Sequence, residues 1–292
     1  MKKITILLLL VVLSACAPVN KDLGKITRSG TSGLSIEFLQ NPAEIYEGSG
    51  FSTLVQIENK GAEDVRRGSY VLRTAEDDVA MSSSLTGPFQ LKGDLYGPGG
   101  QARLQFKGET NPLSSKTTKI NTNLRFEACY EYQTLADANV CVDPDLADNN
   151  KNKVCKPSTT SLSGGQGAPV TVTSVQTKMM PGDNEDVVIP QFVISVSNTG
   201  GGTLTAPSAA LSTCSGKTVS RDDMNKVSVQ AQLGGDSLNC GDGIVNIVDK
   251  SIVCTLDSGI AVNAGTYISQ LGITLDYGYQ QTASQSFTIV KK

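Results

Sequence analysis

Two short stretches far apart in the chain share one pattern. Val55-x-Ile57-x-Asn59-x-Gly61 matches Ile194-x-Val196-x-Asn198-x-Gly200. In each, apolar and polar residues alternate, so Val and Ile fall on one face of a β-strand and the polar residues on the other. Each then stops at Asn-x-Gly, residues that tolerate positive φ and end a strand in a turn. Another alternating run precedes each copy: "LSIEF" from Leu34 and "VTVTSV" from Val170. Two copies at this separation predict two similar all-β domains rather than a solenoid.

Further strands follow from the same period. "ARLQF" (Ala102–Phe106) follows the turn "GPGG", and "VSVQAQL" begins at Val227. "INTNLRFEACY" places Ile120, Thr122, Leu124, Phe126, Ala128 and Tyr130 on one face. "LGITLDY" and "SFTIV" (Ser286–Val290) close the chain. No stretch combines a helical period with caps. Many short alternating strands broken by turn signals predict antiparallel β-sandwiches. The expected order is a first sandwich over 34–155, a Ser/Gly-rich linker over 156–169 and a second sandwich over 170–292.

Here a resemblance appears. "YEGSGFSTLVQIENKG" and "FVISVSNTGGG" are similar to the opening of prokaryotic immunoglobulin-like domains of the cell-adhesion-related (CARDB-like) type. "ACYEYQTLADANVCVDPD", "LSGGQGAPV" and "LDYGY" are similar to segments of surface proteins of small-genome archaea. The resemblance covers roughly 34–292. It implies tandem Ig-like sandwiches and a cell-surface role, and brings no catalytic or binding residue with it.

The N-terminus reads "MKKITILLLLVVLSACAPVN". Lys2 and Lys3 precede an apolar run of ten residues, Ile4–Leu13. A bilayer span needs about 20 apolar residues, so this run has signal-peptide length. "LSAC" (Leu13–Cys16) resembles a lipobox, which implies removal of residues 1–15 and a diacylglyceryl group on Cys16. Two acyl chains bury many CH₂ groups at about 0.8 kcal/mol each, enough for stable attachment. The alternative is a plain secretory signal. Position 17 is Ala and not Asp, which does not argue for inner-membrane retention. Residues 16–33 then read as a lipidated, flexible tether.

What the chain lacks excludes several classes. It has no histidine, so Ser-His-Asp and Cys-His catalysis and histidine-ligated zinc or haem are out. It has no tryptophan, which weakens sugar stacking, although Tyr remains available. A net charge of −3, with no basic run longer than two residues, offers no footprint for nucleic acid. "GGQG" and "TGGGT" lead into no helix, which argues against a phosphate cradle. The tyrosines of "CYEYQ" and "LDYGY" read as half-buried strand residues rather than a ligand platform. No pair of carboxylates stands out for hydrolysis, so the enzyme reading is the alternative.

Beyond Cys16 there are six cysteines: Cys129, Cys141, Cys155, Cys214, Cys240 and Cys254. In an exported chain an even count reads as disulfides. Cys129 alternates with inward Ala128 and Tyr130, so it faces out. A hairpin centred near Leu135 would set Cys129 opposite Cys141, and a turn within "NIVDKSIV" would bring Cys240 near Cys254. The remaining bridge, Cys155–Cys214, would then cross domains; the second choice is Cys141–Cys155. Zinc needs closer pairs than the eleven intervening residues found at the nearest.

Asp143, Asp145 and Asp148 in "CVDPDLADNNKNKVC" are a weak calcium candidate. Counted from Asp143, an EF-hand loop wants Gly sixth and Glu twelfth; Asp148 and Val154 stand there. Lys151 and Lys153 bring positive charge where a cation would sit. The favoured reading is a turn stapled by its cysteines, with no metal or other cofactor. The expected partners are the membrane, through the lipid, and another envelope or surface protein. The expected role is adhesion or scaffolding, with a polymer hydrolase or a structural spacer as rivals.

Overall fold

The computed structural model describes residues 28–40 and 42–292. The leader, Cys16 and most of the tether lie outside the described residues. The first half contains β1 (Leu34–Gln40), β2 (Glu44–Tyr46), β3 (Gly50–Asn59), β4 (Val65–Thr74), β5 (Val79–Met81), β6 (Thr86–Leu91), β7 (Gln101–Thr110) and β8 (Lys119–Val142). The second contains β9 (Thr159–Ser161), β10 (Val170–Pro181), β11 (Val187–Asn198), β12 (Thr203–Thr205), β13 (Lys226–Leu233), β14 (Asp236–Ser237), β15 (Ile244–Asn246), β16 (Ser251–Thr255), β17 (Ile260–Ala261) and β18 (Tyr267–Val290). Helix among the described residues is limited to single 3₁₀ turns, and no helix there is long and apolar enough to cross a membrane.

The alternation sets the faces as read. Val55 and Ile57, and Ile194 and Val196, are buried. β1 pairs with β3 and β10 with β11, each antiparallel with one bulge. These pairs belong to two outer sheets, ordered β1-β3-β7-β5 and β16-β11-β10-β9.

The third sheet departs from the expected plan. β8 and β18 each run 24 residues and pair antiparallel along their whole length without a register shift. The hairpin near Leu135 does not form, because Leu135 lies mid-strand opposite Thr274. Residues 124–130 pair with β4 in the first half, while Ala136, Ala138, Val140 and Val142 are buried on the same continuous strand farther along. Conversely, β18 pairs with β13 over Leu271–Asp276 and reaches β2 with Thr288–Val290. The ring of Phe287 lies 5.5 Å from that of Phe51. One nine-stranded sheet therefore serves both halves, and one apolar core spans them. The parts on either side of 156–169 are thus two lobes that share their central strands, β8 and β18.

The segments expected to be loose are laced together at the waist. Gly30 N–H donates to the Gly164 carbonyl (2.7 Å), Gly167 N–H to the Gly30 carbonyl (2.8 Å) and Ala62 N–H to the Gly167 carbonyl (2.7 Å). Gly165 has φ +70°, and a Cβ there would collide with the Gly30 carbonyl oxygen. Only glycine permits both that backbone and that approach. Arg28 to Gly33, inside the segment read as tether, are thus tied to the waist, and the linker carries β9 and the buried Gln166 and Ala168.

The six cysteines form three pairs: Cys129–Cys214, Cys141–Cys155 and Cys240–Cys254. The last is as expected. Cys129–Cys141 and Cys155–Cys214 are corrected, and the second choice, Cys141–Cys155, is the one present. Cys129 does point to the outer face, but residues 207–215 cross over it, and Cys214 meets it there beside Val71 and Leu211. A bridge between the halves exists, with a different partner.

Candidate functional site

Four tyrosines mark the centre of the β8–β18 seam. Tyr130 stands opposite Tyr279 and Tyr132 opposite Tyr277. All four are buried, with ring centroids 5.6–6.3 Å apart. Their hydroxyls tie down the repeated motifs. Tyr279 donates to Asn198 Oδ1 (2.8 Å) and accepts from Gly202 N–H (2.7 Å). Tyr132 points to Asn59 Oδ1 (3.4 Å), the matching residue of the first copy. Tyr130 accepts from Leu34 N–H, at the start of β1. Thr134 donates to the Val170 carbonyl at the start of β10 (2.6 Å), which leaves the Tyr277 hydroxyl to donate to Thr134 Oγ1 (2.9 Å). These phenols are structural: they join each opening strand and each Asn turn to the seam.

Burial raises the pKa of all four phenols, since it disfavours the phenolate. Below about pH 10 neither folded nor unfolded chain has lost these protons. Above it, the unfolded chain releases them while the folded chain holds them, so stability falls with rising pH by about 1.4 kcal/mol per pH unit for each such phenol. Denaturant midpoints should therefore be flat from neutrality to about pH 9.5 and drop steeply beyond pH 10. Replacing Tyr277 with Phe should make that drop shallower.

At the waist, a cleft of about 590 Å³ opens beside the seam. Its floor is Glu131, Gln133 and Asp276, from the middle of β8 and β18. One wall is Arg28 and Glu63–Arg66; the other is the loop Lys92–Pro98. Its carboxylates are engaged. Arg28 Nε meets Glu63 at 2.8 Å, Lys92 Nζ meets Asp64 at 2.9 Å, Arg67 meets Glu131 at 2.8 Å, and Gln133 donates to Asp276 at 2.8 Å. The Gly93 amide, then Lys92, hold the Asp64 carboxyl below the usual carboxylate range. Tyr96 stands at the rim, 82% exposed. None of these residues stood out in the sequence; an aromatic inside the turn-rich "GDLYGPGG" was the available signal.

The stapled loop has a different interior from a solvated turn. Lys153 Nζ lies 2.8 Å from Asp143, 3.3 Å from Asp145 and 3.1 Å from Asp148, with the Asp145 carbonyl at 3.0 Å. The lysine side chain is 5% exposed, and Asp143 also accepts from Thr266 Oγ1 (2.9 Å). The carboxylates raise the Lys153 pKa, Asp143 most. Amides of Asn150 and Asn149 lower that of Asp145, and Lys153 that of Asp148. The ammonium gathers the three aspartates, so carboxylates and cysteines together hold the loop. Among the described residues, no group of three or more acidic, Cys or His side chains is arranged to hold a metal ion. Lys153→Met should lower the melting temperature in chelator, with part of the loss restored by millimolar calcium, because three carboxylates are left without their cation. Native protein should melt identically in calcium and chelator; a calcium-dependent rise there would mean that Lys153 yields to the metal.

No protein-family model matches the chain, and no curated protein matches it.

Proposed function

We propose that the chain is a lipid-anchored, extracytoplasmic binding module with no catalytic role, built from two Ig-like, CARDB-like sandwiches whose last strands are shared. The lipid is the diacylglyceryl group on Cys16. The role is adhesion or scaffolding toward another envelope or surface component. The lipobox and three disulfides support the location. The observation that carries the binding role is the waist cleft, a sizeable recess on a cross-braced scaffold. Its chemistry speaks against the hydrolase. A general acid at neutral pH needs a raised carboxyl pKa, whereas Asp64 is lowered and its neighbours are in ion pairs or hydrogen bonds.

Two measurements test this. Crosslinking in native membranes followed by capture should yield one stoichiometric surface component, the native protein should carry an acyl mass, and a Cys16→Ser variant should be depleted from the membrane fraction. A variant equally membrane-bound with an uncut leader, or a native protein without the acyl mass, would sink the lipid anchor. Turnover of an envelope polymer by purified protein would favour the enzyme instead. Absence of any partner would leave a spacer.

A further inference from the structure

The waist cleft has a balance of charge and shape that selects a ligand class. Arg28, Arg66 and Lys92 face Glu63, Asp64, Glu131 and Asp276. With Arg67 paired to Glu131 from outside, cations and carboxylates cancel. A phosphorylated or otherwise polyanionic ligand would need an excess of cations, and a basic one an excess of free carboxylates. Neither is present. What remains is a neutral surface rich in planar hydrogen-bonding groups: carboxylates, two guanidiniums and the Gln133 amide. Such groups fit the vicinal hydroxyls of a sugar, which both donate and accept.

The rim adds the apolar component. Tyr96 projects from a loop containing Gly93, Gly97 and Pro98, and it is the most exposed large hydrophobic side chain among the described residues. An aromatic ring this exposed leaves its apolar faces in water and suits stacking against the C–H face of a pyranose. The other apolar lining groups are Ala62, Leu95, Pro98 and the ring of Tyr132, which is buried in the seam and offers the cleft little surface. No deep apolar pocket is formed to seat the anchor side chain on which peptide recognition relies.

We infer that the waist cleft binds a neutral, polyhydroxylated glycan, with Tyr96 stacking on a sugar ring and Gln133 and Asp276 receiving its hydroxyls. The inference rests on the binding-module reading and names its ligand class. Asp276 is held for this by the Gln133 amide, and the loop by the Gly93 amide on Asp64 (2.8 Å). The site needs neither metal nor covalent chemistry.

The test is saturation-transfer NMR and calorimetry on the disulfide-intact protein with hexasaccharides of glucose, mannose and N-acetylglucosamine, a polyanionic oligosaccharide and a Tyr-rich peptide. At least one neutral hexasaccharide should bind. Tyr96→Ala should weaken it by at least about tenfold, as expected for truncating one aromatic anchor. Tyr96→Phe should retain binding, and the melting temperature of both variants should match the parent, since Tyr96 is exposed. Binding to none of the neutral sugars, binding of the polyanion or the peptide alone, or affinity indifferent to Tyr96→Ala would each overturn the inference. If the partner captured from membranes is unaffected by Tyr96→Ala, the module reading survives while the glycan reading falls.

Discussion

Divided into residues 28–158 and 159–292, neither half is expected to fold alone, and mixing the two should restore a cooperative transition. The reason lies in the seam. Removing β18 takes Phe287 and Ile289 out of the first lobe, where Phe287 packs on Phe51 and Ile289 stands opposite Ile120. Both residues are buried, as are Tyr277 and Tyr279 at the centre. Full burial of each such side chain is worth about 1.5–3 kcal/mol. Losing several together is comparable with the whole stability of a typical domain, about 5–15 kcal/mol. The second lobe loses Ala136, Ala138, Val140 and Val142 in the same way. It also loses the partner of β18 along all 24 residues, exposing unpaired backbone. Circular dichroism and thermal melts of the separate and mixed fragments decide the matter. A sharp transition in either isolated fragment would show that the lobe closes without the other's strand.

The second large effect concerns Cys129–Cys214. The bridge closes a span of 85 residues and clamps residues 207–215 across the outer face of the shared sheet. Loop-closure entropy assigns a bridge of this span about 4–5 kcal/mol. The double replacement by Ser should lower the unfolding free energy by about that amount, more than loss of Cys141–Cys155, whose closed span is 14 residues and is worth about 3 kcal/mol. Chemical denaturation of the two double mutants under oxidising conditions gives the ranking. Equal losses would mean that the crossing segment is held by its other contacts.

Strand existence and facing were legible because they depend on local alternation. Val55, Ile57, Ile194 and Val196 point inward as their period requires, and Cys129 points outward as its neighbours require. The length of β8 was not legible. Across "TLADAN" its inward residues are Thr134, Ala136 and Ala138, small groups that look like surface, while Asp137 and Asn139 look like a turn. "QQTASQ" hides the middle of β18 in the same way. Small inward residues are what the crowded seam beside four tyrosines accommodates, but that crowding comes from a strand more than a hundred residues away, and local pattern does not report it. The same holds for the loop lysine. Positive charge near the aspartates was visible; the burial of Lys153 among them, with Thr266 closing over Asp143, depends on where β18 begins. The cleft was the least legible feature, since Arg28, Asp64, Tyr96, Gln133 and Asp276 meet only after both halves fold around the seam.

The shared seam is tested most directly by peptide mapping of the oxidised protein without reduction, with the linked peptides identified by mass spectrometry. Continuous β8 and β18 place Cys129 against Cys214, and Cys141 against Cys155, with Cys240–Cys254 as the third bridge. Recovery of those three linked pairs is the expected result. A Cys129–Cys141 peptide, accompanied by Cys155–Cys214, would mean that the chain turns back near Leu135 and that the two lobes do not share their central strands.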